Sequence, residues 1–235
     1  MRGLIRYSCP CAAWMATFLV QANPVHAQSL TPPPLTSEHA MASDIDPQSG
    51  FRLPLPRRED LDEAGQKAYD RGTTPGTTIA GLQGPAGVQL YSTRTAPHLA
   101  ALNRYLRFEA GLGGRLRELA ILVTARELDS QFEWAAHEAE AKREGIAPEL
   151  IDVIRHRRDP AGIDEADRVV IALGREIFGA RKVSPETYAS TLAQFGRRKL
   201  VDLVALMGNY ASTAAMLTAF DMQLDPGVEP PLPPL

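Results

Sequence analysis

The sequence predicts an all-α protein, and three features lead to that prediction. Apolar residues recur with helical periodicity from about residue 57 to 225. Aromatic residues make up only 6% of the chain, and alanine and leucine recur throughout its second half, so we expect a core of aliphatic side chains on helices. No run alternates apolar and polar residues for long enough to predict a strand.

Nine segments follow the helical pattern, and stretches rich in glycine or proline separate them. They are 59–71, 86–94, 96–110, 115–128, 131–144, 148–156, 164–178, 185–194 and 197–220. Several boundaries have a physical cause. Gly145 follows two basic residues as a C-terminal glycine cap would, and Pro148 and Pro185 occupy first-turn positions that tolerate a missing N–H. Ser184 precedes Pro185 as an N-cap.

The N-terminus has the pattern of a secretory signal at residues 1–27. Arg2 and Arg6 form a positive start, residues 12–20 are apolar, and Val25-His26-Ala27 offers the small residues that signal peptidase requires. An uncleaved N-terminal anchor is the alternative. Cleavage predicts a periplasmic or secreted protein that no longer contacts a membrane.

The only two cysteines, Cys9 and Cys11, lie inside this signal. A mature chain without thiols can form no disulfide and run no cysteine redox chemistry.

The remaining chain divides into three parts. Residues 28–56 are rich in proline and serine without apolar periodicity and predict a linker or a loosely attached arm. Residues 57–225 are the predicted folded domain, and 226–235 form a proline-rich tail that cannot be helical.

Charge and ligand spacing exclude two classes of partner. The formal net charge is −3 and the isoelectric point about 6.0, without a concentrated basic face, so nucleic acid is not an expected partner. No pair among His98, His137 and His156 has metal-ligand spacing, and we predict neither a metal site nor a cofactor.

The candidate chemistry lies in two neighbouring helices. Glu133 and His137 are four residues apart, so they share one face of the helix 131–144. A carboxylate beside an imidazole suits it to acid or base work near neutral pH. Glu118 lies in an otherwise aliphatic run of the preceding helix, where a charge needs a partner. We expect an antiparallel hairpin to bring it toward His137.

Simpler interpretations stand beside these. Glu133 and His137 could be a surface pair, and Glu118 could be a partly buried carboxylate held by Arg115 or by a neighbouring helix. Ser130 is better explained as the N-cap of the second helix than as a nucleophile, because no second base lies beside it.

These motifs resemble the carboxymuconolactone decarboxylase and alkyl-hydroperoxidase D (AhpD) superfamily. The resemblance rests on Arg117-Glu118-Leu119-Ala120-Ile121-Leu122, on Glu133-x-x-x-His137 and on Gly145-Ile146. The flanks are similar too, at Leu82-x-Gly84-Pro85 and at Leu200–Val204 leading to Gly208-Asn209-Tyr210. It covers roughly residues 57–222. It implies an AhpD-like helical bundle whose hairpin holds the active site, and assembly into a homotrimer or homohexamer.

The two branches of that superfamily differ at the site. The peroxidase branch has cysteines that would fall on Ser130 and Glu133, and both are absent here. A peroxide must be attacked by a thiolate, so peroxidase activity is not expected. The decarboxylase branch resembles this chain in having a glutamate four residues before the histidine.

On the decarboxylase pattern the expected catalytic residues are His137 as general acid or base, Glu133 as its orienting partner and Glu118 as a second carboxylate. The substrate-binding candidates are Arg115 or Arg117 for a substrate carboxylate, Trp134 as core or pocket wall, and Tyr210 at the pocket or a subunit interface.

The predicted function is therefore that of a carboxymuconolactone-decarboxylase-like lyase acting on a small carboxylated or lactone substrate. A non-catalytic binding or scaffold protein on the same fold is the first alternative. A peroxidase is the second, and retention of Cys9 and Cys11 in the mature chain would be needed for it.

Overall fold

The computed structural model describes residues 44–234, and this part of the chain is all-α, as predicted. Its eight helices are α1 Glu63–Thr73, α2 Pro85–Gln89, α3 Ala96–Arg104, α4 Gly114–Glu127, α5 Gln131–Arg143, α6 Pro148–Arg155, α7 Glu165–Gly174 and α8 Pro185–Ala219. Within the described range the β-pairing is limited to one isolated bridge, between Asp46 and Phe51. The predicted signal at 1–27 lies outside the described residues.

Two helices continue into a wider π-helical turn. Tyr105–Glu109 follows α3, and Arg175–Ala180 follows α7. The first π segment falls inside the predicted helix 96–110, and the second begins inside the predicted helix 164–178 and extends two residues beyond it. A sequence pattern does not separate α from π winding. Short π segments are frequent at functional sites, and the segment Tyr105–Glu109 is a candidate for such a role.

The long helix α8 is interrupted where the sequence predicts a gap between two helices. Gly196 has φ 73° and ψ 170°, a conformation that only glycine adopts without strain. The helix begins as predicted, with Ser184 Oγ accepting a hydrogen bond from the backbone N–H of Thr187 at 3.1 Å.

By length and composition α8 could pass as a membrane span, a test that the core helix of a soluble protein also passes. Its Leu203, Leu206 and Met207 are fully buried in the helical core.

Helix α4 is the centre of the structure. Every residue from Arg117 to Arg126 is buried, because α5, α6, α7 and α8 all pack against this helix. The approach of α7 is close enough that a Cβ on Gly174 would lie 2.3 Å from Val123 Cγ1. A charged side chain on α4 must therefore find its partner inside the protein.

The folded region extends beyond the predicted bounds of 57–225 at both ends. At the N-terminal side Phe51 is fully buried, and the backbone N–H of Arg52 donates to the carbonyl of Phe220 at 3.0 Å. At the C-terminal side Leu232 is buried, and its N–H donates to Gln131 Oε1 at 2.8 Å. Both arms attach through a few apolar side chains and through hydrogen bonds to their backbone, which leave no periodic pattern in the sequence.

Candidate active site

The site is built on the hairpin of α4 and α5. Residues 128–130 join the two helices, and Asp129 turns the chain with a positive φ of 52°. Because the helices run antiparallel, the first half of α4 faces the middle of α5. This places Glu118 opposite His137.

Glu118 and His137 form a buried hydrogen-bonded pair. Glu118 Oε2 lies 2.7 Å from His137 Nδ1, and the two residues are 0% and 4% exposed. The expected approach of Glu118 to His137 is confirmed. The contact fixes the imidazole orientation and leaves Nε2 as the ring nitrogen available for chemistry.

Arg117 holds the other oxygen of Glu118. Its Nε donates to Glu118 Oε1 at 2.8 Å, its Nη1 donates to the carbonyl of Arg107 at 3.1 Å, and its Nη2 donates to Glu144 Oε1 at 3.1 Å. Each of its three nitrogens donates one hydrogen bond within the protein, so the structure gives Arg117 the role of positioning Glu118. The expected contact between Arg117 and a substrate carboxylate stays a prediction.

The surroundings separate the charge states of this pair. Burial alone would raise the pKa of Glu118, but hydrogen bonds and charge interactions with His137 and Arg117 outweigh burial and lower that pKa. Burial lowers the pKa of His137 below its ordinary value, although Glu118 opposes the shift. At neutral pH the arrangement is an ionised Glu118 that accepts a hydrogen bond from the Nδ1–H of a neutral His137.

Glu133 does not orient His137, contrary to the sequence-based expectation. It lies one turn before His137 and is only 3% exposed, yet neither of its carboxylate oxygens has a hydrogen-bond partner among the described residues. Helical spacing places both residues on one face, but the imidazole turns to the carboxylate across the hairpin. Burial without a partner raises the pKa of Glu133 to about 8.

Tyr210 of α8 closes the site above His137. The two rings meet edge to face, with centroids 5.1 Å apart and an interplanar angle of 84°. Burial raises the pKa of Tyr210, so its hydroxyl stays protonated. The structure thus brings Tyr210 to the site, as one of the two predicted placements requires.

Two other candidates are used elsewhere. Arg115 forms a bidentate ion pair with Asp167 of α7, with N–O distances of 2.6 and 2.7 Å. The indole N–H of Trp134 donates to Glu138 at 2.9 Å, and the guanidinium of Arg155 lies over its ring at 5.4 Å. Arg115 therefore ties α4 to α7, and Trp134 packs toward α6, so neither lies with His137.

One charged residue at the site was not anticipated. Arg107, in the π segment 105–109, places Nη2 3.9 Å from Glu118 Oε1. The sequence analysis missed Arg107 because its position depends on how the segment 105–109 packs on α8. The pattern of residues 96–110 does not distinguish Arg107 from Arg104.

Other possible sites offer less. Within residues 44–234 no group of three histidine, cysteine, aspartate or glutamate side chains could hold a metal ion. Surface hollows of about 80 and 420 Å³ lie beside Ser190 and beside Val153, and neither is lined by His137.

Comparisons with known proteins agree with this architecture. Residues 95–174, about a third of the chain, match the carboxymuconolactone decarboxylase family, and this segment contains Glu118, Glu133 and His137. A comparison with curated protein sequences finds no significant match.

A similar solved structure is a protein of unknown function from Agrobacterium tumefaciens, described as a candidate AhpD-type antioxidant defence protein. It shares 17% sequence identity at a TM-score of 0.54, over 60% of this chain and 97% of that one. At this identity the likeness concerns the fold alone. Residues 95–174 are thus similar to the carboxymuconolactone decarboxylase family, and the described part of the chain has a helical fold similar to that of an AhpD-like protein.

Proposed function

We propose that this protein is a lyase of the carboxymuconolactone decarboxylase type, acting on a small carboxylated lactone by acid–base chemistry. The observation that carries the proposal is the hydrogen bond of 2.7 Å between Glu118 and His137. One helical turn away lies the buried Glu133, whose carboxylate oxygens have no hydrogen-bond partner among residues 44–234. The site thus contains a base, His137, whose pKa is lowered by its environment, and an acid, Glu133, whose pKa is raised.

His137 supplies the base. Because an ionised Glu118 accepts a hydrogen bond from Nδ1–H, the lone pair of the neutral imidazole lies on Nε2. Arg117 keeps Glu118 in place and ionised, so both residues are positioning groups for His137. A single proton can then move to and from Nε2 near neutral pH.

Glu133 supplies the acid. A carboxyl group with a pKa of about 8 is mostly protonated at neutral pH and can donate its proton. Glu118 cannot fill this role, because its pKa is lowered by His137 and Arg117. At neutral pH Glu118 is therefore the ionised carboxylate of the site and Glu133 its protonated carboxyl group.

These groups match the needs of decarboxylation. When the carboxylate leaves as carbon dioxide, the electrons of the broken C–C bond remain on the lactone and shift along its double bond. A proton must then be added to the carbon that receives them, and we assign its delivery to Glu133, because the raised pKa keeps this carboxyl group protonated at neutral pH. Moving a double bond further requires a base that removes a proton from one ring carbon and returns it to another, and His137 Nε2 fills both roles in this proposal.

Peroxidase chemistry has no comparable support. Ser130 and Glu133 stand where the peroxidase branch has cysteines, and the sequence has no cysteine beyond Cys11. Neither a hydroxyl nor a carboxyl group replaces the thiolate that attacks a peroxide.

Export and self-association are part of the proposal and come from the sequence and the family resemblance. We propose a protein cleaved after about residue 27 that works outside the cytoplasm as a homotrimer or homohexamer. Mass spectrometry of the exported chain tests the first statement and sedimentation tests the second. Retention of Cys9 and Cys11 in the exported chain would reopen the peroxidase alternative.

The histidine variant His137→Asn tests the base. An asparagine amide keeps an N–H donor near the position of Nδ1 and removes Nε2, so we expect turnover to fall by about 10²-fold or more with the fold intact. His98→Ala is the matched control, since His98 is exposed on α3. Turnover is measured on a panel of carboxylated lactones that includes γ-carboxymuconolactone. Unchanged turnover in His137→Asn contradicts the proposal, and a wild-type protein inactive on the whole panel favours the binding-protein alternative.

The pH profile of kcat/KM tests the acid. Activity should decline as pH rises through about 8, because Glu133 then loses its proton. It should also decline at acid pH, below the ordinary histidine value of 6.5, because His137 becomes protonated. Glu133→Gln should lower the rate and abolish the alkaline decline. An alkaline decline that persists in Glu133→Gln assigns the acid to another group.

Glu133→Gln also has a stability readout that needs no substrate. Folding raises the pKa of Glu133 from 4.5 to about 8, so its contribution to stability is complete below 4.5 and is lost as pH rises through 8. Over that range wild type should lose about 1.4 kcal/mol of unfolding free energy per pH unit relative to Glu133→Gln. Urea denaturation at several pH values measures it, with the exposed Glu149→Gln as control. Parallel curves for wild type and Glu133→Gln would show that Glu133 is not buried and protonated.

A further inference from the structure

We propose that Arg107 binds the carboxylate of the substrate and so determines the preference of this site for acids over neutral lactones. The inference rests on the proposed function, since it names the group that selects the substrate of the same site. It assigns to Arg107 a role that the sequence suggested for Arg115 or Arg117.

Arg107 lacks the partners that a buried arginine normally has. Its Nε is buried and has no hydrogen-bond acceptor among the described residues. The nearest carboxylate oxygen, Glu118 Oε1, lies 3.9 Å from Nη2, which is beyond hydrogen-bond distance. A guanidinium has five N–H donors, so Arg107 keeps its capacity for a bidentate contact.

The neighbouring arginine shows the difference. Arg117 donates to Glu118, to Glu144 and to a backbone carbonyl, and it takes the shortest contact that Glu118 Oε1 makes with an arginine. Both oxygens of Glu118 thus have a hydrogen-bond partner at short distance, Arg117 for Oε1 and His137 for Oε2, and Arg107 lies farther away. The partly buried guanidinium of Arg107 is left without an ionised acceptor at hydrogen-bond distance in the part of the chain that the structure describes.

The charge of the site points the same way. With His137 neutral and Glu133 protonated, the buried charges are the two arginines and a single carboxylate, Glu118. The other carboxylate in contact, Glu144, has a side chain 38% exposed and touches Arg117 from the solvent side. An unbalanced buried cation is costly, and an anionic ligand would offset it.

The position of Arg107 suits a group that meets the substrate. Its side chain is 15% exposed, against 0% for Glu118 and 6% for His137, so it lies between the buried pair and the surface. The guanidinium lies 5.0 Å from the ring centre of Phe108, which is 64% exposed.

Arg107 is also close enough to act on the reacting groups. Its Nη2 lies 3.9 Å from Glu118 Oε1, and the other oxygen of the same carboxylate lies 2.7 Å from His137 Nδ1. A carboxylate bound at Arg107 would therefore lie beside the pair of Glu118 and His137. The expected ligand is a small lactone with a planar carboxylate on or next to the ring, held by two parallel N–H···O bonds.

The experiment measures binding of an unreactive probe, so that it does not depend on turnover. The probe is paraconate, a saturated lactone that bears one carboxylate, and its methyl ester is the uncharged comparison. Calorimetry gives the Kd of both for wild type, Arg107→Gln, Arg107→Lys and Arg104→Gln. Arg104 is the matched control, because it lies one turn before Arg107 and its side chain is 71% exposed. Circular dichroism checks that each variant is folded.

Wild type should bind paraconate at least about tenfold more tightly than the ester, as a charge-assisted bidentate contact requires. Arg107→Gln should lose this preference and leave the affinity for the ester unchanged. Arg107→Lys should keep part of it, since it retains the charge without the fork, and Arg104→Gln should match wild type. Equal paraconate affinity in wild type and Arg107→Gln overturns the inference, as does a wild type that does not distinguish acid from ester.

These outcomes separate the inference from the proposed function. Paraconate binding that depends on Arg107, in a protein that turns over no lactone, would leave the carboxylate site standing and remove the lyase. Turnover by Arg107→Gln with the wild-type KM would do the reverse.

Discussion

The hydrogen bond between Glu118 and His137 is the interaction on which the rest of this site depends. Glu118 lies on a helix enclosed by four others, where an ionised carboxylate is stable only with partners on both oxygens. His137 serves one oxygen and Arg117 serves the other. The need of the buried carboxylate for hydrogen-bond partners therefore favours the pairing of α4 with α5. The same hydrogen bond fixes the orientation of the imidazole and so positions Nε2 as the base.

The same burial gives the two glutamates opposite properties. Glu118 has cationic and hydrogen-bonding partners, and its pKa is lowered. Glu133 has none among the described residues, and its pKa is raised to about 8. Environment alone therefore divides two identical side chains into an ionised positioning group and a protonated acid. Arg107 is a cation in the same environment, and in our proposal the substrate carboxylate is its hydrogen-bond acceptor.

Much of the fold follows from local sequence rules, and the site follows only in part. Some helix boundaries were predictable because residues such as Ser184 act on the chain next to them, whereas the helix expected at 86–94 ends at Gln89. The approach of Glu118 to His137 was predictable because a short turn forces an antiparallel hairpin. Which carboxylate orients the imidazole was not, since helical spacing favours Glu133 and the hydrogen bond forms across the hairpin. Arg107 depends on packing between distant helices, which spacing does not encode.

The protonation of His137 tests the central claim most directly. Heteronuclear NMR of protein labelled with ¹⁵N in the histidine rings distinguishes the two ring nitrogens. The signals that are lost in His137→Asn are those of His137. At neutral pH the account predicts a neutral ring with its proton on Nδ1, donated to Glu118, and a bare Nε2. A ring protonated on Nε2, or on both nitrogens, would contradict it, because Nε2 would then carry a proton and could not act as the base.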